Sequence, residues 1–188
     1  MANGYLSNPG SGTLSAYAIN PSSGALTPLA GNPKATGPNP SSVAVDPSGR
    51  SLYAVHQNGV DHYTIDPSAG TLILTDGVAT GAGILPRSIA IGPSGQFAHV
   101  ANGLSGTVST FSIQANSGSL TALGSVAAGT TPNAITVDAS GKFAYVVNQG
   151  SNNVSAYTIN AATGALSPLP TVAAGAGPVA ITTTGTLQ

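Results

Sequence analysis

Residues 132–177 read PNAITVDASGKFAYVVNQGSNNVSAYTINAATGALSPLPTVAAGAG, and the fold follows from the fact that this stretch recurs. Its opening proline belongs to a series: Pro40, Pro86, Pro132 and Pro178 stand 46 residues apart three times in succession. A fixed period of this size marks a repeat architecture built from one supersecondary unit. Within the unit, runs rich in Val, Ile, Thr, Tyr and Phe alternate with turn clusters about every ten residues, the pattern of short antiparallel strands. The pattern predicts strand A over 134–138, B over 143–148, C over 154–160 and D over 165–172. Helical repeats of similar length are excluded by the Gly and Pro content and by the missing 3.6-residue periodicity.

The turns repeat with the strands. Asp46-Pro47-Ser48-Gly49 joins A to B with Asp, Pro and Gly where a type I turn favours them. Gly92 to Gly95 and Asp138 to Gly141 fill the same place, and the C–D turns at Asn20, Asp66, Gln114 and Asn160 recur likewise. Both faces of each strand are apolar, as in a sheet covered on two sides. Along strand A a small face (Ser42/Ala44, Ser88/Ala90, Ala134/Thr136, Ala180/Thr182) backs a large one (Val43/Val45, Ile89/Ile91, Ile135/Val137, Ile181). Small against large lets neighbouring sheets approach closely near an axis. The expected fold is therefore all-β, a β-propeller of four-stranded antiparallel blades, about four of them.

Phase sets the organisation. Tyr5 aligns with Tyr145 and Tyr17 with Tyr157, so the chain begins in a strand B, and 178–188 supplies another strand A. One propeller over 1–188 is expected: strands B, C and D of a clasp blade over 1–39, blades over 40–85, 86–131 and 132–177, and the clasp's strand A over 178–188. Three arrangements satisfy this phase: a four-bladed ring with 3+1 closure, part of a larger ring with self-association through uncovered blade faces, or half of an eight-bladed ring shared by two chains.

Composition excludes whole classes of function. Four Lys or Arg, five acidic residues (all Asp) and a formal charge of −1 leave no basic footprint for nucleic acid. No apolar run approaches the roughly 18 residues of a membrane span. With no cysteine there is neither disulfide nor thiolate chemistry. The first fifteen or so residues lack the basic and apolar regions of a signal peptide. A charge-poor surface of Ser, Thr, Asn and Gly nonetheless suits a secreted, periplasmic or cell-surface protein, so an upstream extension is expected.

The stretch PNAITVDASGKFAYVVNQGSNNVSAYTINAATGAL resembles the repeat of the YVTN and lactonase-type propellers, the group that includes 6-phosphogluconolactonase-like proteins. The resemblance implies a ring of seven blades, for which this chain has material for about four. In lactonase-type members the strand A start reads Pro-Arg-His and the strand B end Val-Asn-Glu, with Arg, His and Glu implicated in binding or acid–base work. Here they read Pro86-Arg87-Ser88 and Ala101-Asn102-Gly103, and the chain has no Glu.

So few ionisable groups make the candidates easy to enumerate. Asp46, Asp66 and Asp138 form turns, and Arg50 and Lys142 follow the A–B turn on the same rim. Blade 40–85 has a short B–C connection, His56-Gln57-Asn58-Gly59-Val60-Asp61-His62. With Asn58-Gly59 as a type I′ turn, His56 faces Asp61 across the hairpin. That pair reads as a general base or half a metal site, or as a surface pair at a hairpin tip. His62 falls on the opposite face by alternation. His99 takes the place of Tyr145 and is expected in the core. Serine is too abundant for any one of them to announce a triad. Arg87 opens strand A at the axis, where a guanidinium can hold a carboxylate or phosphate.

The catalytic candidates are thus Arg87, His56 and Asp61, with no cofactor and no metal implied. Since the family's water-activating groups are missing, the expected function is a non-catalytic scaffold or interaction module whose rim binds a glycan or protein. The alternative is a lactonase acting on a sugar lactone such as 6-phosphogluconolactone.

Overall fold

Each repeat of the sequence becomes one antiparallel sheet in the computed structural model, which describes residues 2–79 and 84–185. Blade I contains β1 (Ala2–Asn8), β2 (Thr13–Ile19), β3 (Leu26–Pro28) and β4 (Lys34–Ala35). Blade II contains β5 (Ser42–Val45), β6 (Ser51–His56), β7 (Gly59–Ile65) and β8 (Leu72–Ala79). Blade III contains β9 (Pro86–Ile91), β10 (Phe97–Asn102), β11 (Thr107–Ile113) and β12 (Leu120–Ala127). Blade IV contains β13 (Pro132–Val137), β14 (Phe143–Asn148), β15 (Asn153–Ile159), β16 (Leu166–Pro168) and β17 (Val172–Ala173).

The A–B turns work as their residues imply. Asp46 Oδ1 accepts the backbone N–H groups of Arg50 at 2.9 Å and Ser51 at 2.8 Å, and Asp138 Oδ1 does the same for Lys142 and Phe143. Strand D departs from expectation in two blades. The stretch over 165–172 forms two short strands, β16 and β17, both paired with β15, and blade I splits in the same way. Pro168 and Pro170, like Pro28 and Pro33, lack the N–H that a continuous ladder needs. Blades II and III have no proline there, and β8 and β12 run unbroken for eight residues.

The hydrophobic cores lie between blades. One joins Leu14 of blade I to Leu52, Ala54, Tyr63, Ile65 and Leu72 of blade II. A second joins Tyr53, Val55 and Val60 to Ile89, Ala98, Val100 and Phe111 of blade III. A third joins Ala101 and Val108 to Ile135, Val146 and Tyr157 of blade IV. Large strand A residues (Val43, Ile89, Ile135) pack toward the preceding blade, and small ones (Ala44, Ala90) toward the next. Tyrosine hydroxyls tie the same seams: Tyr53 to Gly118 O at 2.7 Å, Tyr63 to Ala35 O at 2.7 Å and Tyr157 to Ala127 O at 2.6 Å.

The 3+1 closure does not form. Among the described residues, 178–185 make no strand pairing and β1 pairs only with β2, so the four sheets stand as an open arc, the part-ring alternative. Asn133 Nδ2 donates to Val179 O at 3.0 Å, which sets 178–182 beside β13, where a following blade would begin. Residues 186–188 of the expected closing segment lie outside the described residues.

His99 occupies the core as expected, 1% exposed with Nδ1 3.1 Å from Thr110 Oγ1. Burial pulls its pKa down to about 4 from the ordinary 6.5. The unfolded chain therefore binds this proton more readily, so the stability His99 confers is complete above about pH 6.5 and is lost as pH falls toward 4. Between about pH 7.5 and about pH 4.5 the wild type should lose about 2–3 kcal/mol through this group. Urea unfolding at both pH values checks it: His99→Gln should lose distinctly less, and an equal loss would place the acid sensitivity elsewhere.

Candidate functional site

The residue after each repeat proline lines the inner edge of the arc: Ser41, Arg87, Asn133 and Val179. They are linked from blade to blade. Ser41 Oγ donates to Pro86 O at 3.1 Å, Arg87 Nη1 to Asn133 Oδ1 at 3.4 Å, and Asn133 Nδ2 to Val179 O. Arg87 is the one charge in this series, and no carboxylate pairs with it among the described residues. Its Nε is buried without a hydrogen-bond partner.

Gly103 explains how Arg87 fits. A Cβ on Gly103 would lie 2.5 Å from Arg87 Nε, so the guanidinium stem occupies the space that any side chain at 103 would need. Gly103 also borders a cleft of about 560 Å³ between blades III and IV, lined further by Ser105, Thr130, Thr131, Ser151 and Asn153. Hydroxyls and amides in that number suit a polyhydroxylated ligand. Ser88, beside Arg87, is engaged structurally: its Oγ accepts the N–H of Ile135 at 3.3 Å.

His56 and Asp61 are brought together, though by a different register from the one expected. The turn is Gln57-Asn58, with His56 opposite Gly59 and Asp61 opposite Ala54. Gly59 sits in the strand because a Cβ there would strike the Val78 carbonyl of β8, a constraint that outweighs the Asn-Gly turn preference. The pair meets diagonally, His56 Nε2 to Asp61 Oδ1 at 3.2 Å. Burial pushes the Asp61 carboxyl up, but hydrogen bonds from His56, Thr36 Oγ1 (2.7 Å) and the Gly37 N–H (3.0 Å) outweigh it and hold the pKa below its usual value. The ionised carboxylate fixes the ring with Nε2 protonated, leaving Nδ1 as acceptor toward Asn58 N–H at 3.3 Å.

The other blades show what this pair replaces. Asn8, Asn102 and Asn148 end strand B there, and each donates to the first residue of strand C and to a serine two further on (Ser15, Ser109, Ser155, each at 2.9 Å). In blade II the Asn–Ser node has become His56–Asp61. Comparing the repeats position by position would have exposed this exchange. His62 points to the opposite face, as expected, and stacks on Tyr53 with ring centroids 5.2 Å apart. No cluster of three His, Cys, Asp or Glu side chains suited to a metal ion occurs among the described residues.

A family model described as "Lactonase, 7-bladed beta-propeller" matches residues 2–85, 58–129 and 88–183. No curated protein sequence matches the chain. Among solved structures, a Bacteroides uniformis protein assigned as a 6-phosphogluconolactonase superposes with a TM-score of 0.85 at 18% identity, over 94% of this chain and 52% of its own. A Lactobacillus plantarum protein gives 0.78 at 26% identity, over 90% and 53%. The periplasmic gluconolactonase of Pseudomonas aeruginosa gives 0.79 at 20% identity, over 92% and 51%. The chain thus spans about half the length of the structures it resembles.

Proposed function

This chain belongs to the seven-bladed β-propeller lactonase family, and we propose that it carries the substrate-anchoring rim of a sugar-lactone hydrolase. The observation behind this reading is Arg87: a cation with no carboxylate partner among the described residues, on the inner edge of the arc, beside a cleft of hydroxyls and amides. The guanidinium holds an anionic substituent of the lactone, a phosphate or carboxylate, by paired N–H donors. His56 stands on the same rim of the adjacent blade, where β6 packs against β9. Oriented by Asp61, it draws a proton from the water that attacks the lactone carbonyl, exchanging its contact with Asn58 N–H for that water. The ring C–O bond breaks and the alkoxide takes up the proton, giving the hydroxy acid.

Family membership and the neighbouring structures favour this reading over the non-catalytic scaffold that the missing Glu suggests. The hydroxyl-rich surface supports an extracytoplasmic setting, and one neighbour of the same fold is a periplasmic protein.

The repeat itself supplies a test of the base. His56→Asn with Asp61→Ser rebuilds the node of the other three blades, so the double variant should fold with its unfolding midpoint close to wild type. Hydrolysis of 6-phosphogluconolactone, followed by acid release, should fall by about 10²–10⁴-fold. A folded double variant working at the wild-type rate removes His56 from the chemistry. A wild type inert on both phosphorylated and neutral sugar lactones removes the hydrolase reading.

A further inference from the structure

On the opposite rim, blade II departs from the repeat at three positions together. β6 begins with Ser51 where β10 and β14 begin with Phe97 and Phe143. His62 in β7 stands where Thr110 and Ala156 stand in blades III and IV, and Asp76 in β8 where Gly124 stands in blade III. The three replacements bond to one another. His62 Nε2 lies 3.1 Å from Ser51 Oγ, and His62 Nδ1 lies 2.9 Å from Asp76 Oδ1.

This is the connectivity of a serine nucleophile, its base and the carboxylate that orients the base. Asp76 can only accept, so Nδ1 carries the proton and the Nε2 lone pair faces the Ser51 hydroxyl. The imidazole is locked, 1% exposed, with Tyr53 stacked on one face. Asp76 is itself held by Ser119 Oγ of blade III, whose hydroxyl donates to Oδ2 at 2.6 Å.

The exchange of Phe for Ser also opens space. Between blades III and IV, Phe97 lines a cavity of about 170 Å³. The corresponding cavity between blades II and III, with Ser51 in that position, measures about 400 Å³, the size of a small-ligand site. Asp46, Arg50, Gln96, Asn116 and Ser117 line it, so one carboxylate and one guanidinium face it, not paired with each other among the described residues. Gly118 borders the same cavity and packs against the Ser51–His62 contact. Its φ of 76° suits glycine, and a Cβ would lie 2.6 Å from His62 Nε2 and still nearer Ser51 Oγ.

We propose that Ser51, His62 and Asp76 form a second, acyl-transfer site that cleaves short-chain esters of polar alcohols, separate from the rim that carries Arg87. Ser51 Oγ attacks the ester carbonyl as its proton passes to His62 Nε2. The C–O bond to the alcohol breaks and the alkoxide takes that proton, leaving an acyl-serine. Water then attacks with the same base, releasing acid and free serine, so one water is consumed for each ester cleaved. The polar lining and modest volume select a small acyl group on a hydroxylated alcohol.

Fluorophosphonate labelling of the full chain followed by peptide mass analysis tests the site, with p-nitrophenyl acetate as the turnover probe. Ser51 should carry one label. Ser51→Ala and His62→Ala should lose it and lose acetate release by at least about 10³-fold, and Asp76→Asn should slow both by a similar order. The triple variant Ser51→Phe, His62→Thr, Asp76→Gly rebuilds the blade III set; it should unfold cooperatively and remain unlabelled. An unlabelled wild type, a label on another residue, or ester cleavage at the wild-type rate by Ser51→Ala or the folded triple variant overturns the proposal. None of these readouts involves a lactone or Arg87, so they stand apart from the activity proposed above.

Discussion

Replacing Tyr157 by alanine is expected to destabilise the protein by about 3–5 kcal/mol, the cost of truncating a fully buried aromatic side chain. The ring is 1% exposed and fills the seam between blades III and IV against Ala101, Val108, Ile135 and Val146. Its hydroxyl donates to Ala127 O at 2.6 Å, so the variant also leaves that carbonyl without its donor. A loss of this size takes a large share of the roughly 5–15 kcal/mol that keeps a domain folded. Because the cores lie between sheets and contacts run from neighbour to neighbour, the damage should be local. Urea unfolding should then show blade IV detaching at low denaturant while the other seams persist. Tyr157→Phe keeps the ring and should cost only about 1 kcal/mol. A single unshifted transition in Tyr157→Ala would show that the seam is not what holds blade IV.

The second large effect is functional. Arg87→Ala should reduce kcat/KM for a phosphorylated sugar lactone by about 10–150-fold, corresponding to about 1.5–3 kcal/mol for hydrogen bonds to a charged group. The loss should appear mainly in KM, because an anchor remote from the carbonyl binds ground and transition states alike. The neutral lactone should be hardly affected. Arg87→Lys should recover part of the loss, keeping the charge without the planar fork. Equal losses on charged and neutral lactones would move Arg87 from anchor to carbonyl chemistry. Gly103 makes the geometry checkable from the other side, since a methyl at 103 would meet Arg87 Nε at 2.5 Å. Gly103→Ala should therefore shift the same substrate preference without removing any charge.

Much of this was legible in the residues, and the two exceptions have separate causes. The proline period, the Asp-led turns and the two-sided strands are local patterns, and each appears where the sequence places it. The arginine at the inner edge was legible too, because its place after Pro86 follows from phase alone. The hairpin of blade II was not: Asn-Gly reads as a turn, yet contact with β8 puts Gly59 inside the strand. The continuous strand D breaks at Pro168 and Pro170, which have no N–H to donate to a ladder.

By itself the sequence determined the unit, its strand order, which strand A face is large, and the place of Arg87, since these depend on alternation and spacing within one repeat. Only the tertiary structure decided that, among the described residues, 178–185 do not pair with β1, because closure depends on the angle accumulated over successive seams. Only it could bring Ser51, His62 and Asp76 together, since they lie on three strands and meet through cross-strand register. A serine among many carries no signal along the chain; it becomes distinct when the fold sets an imidazole 3.1 Å from its hydroxyl.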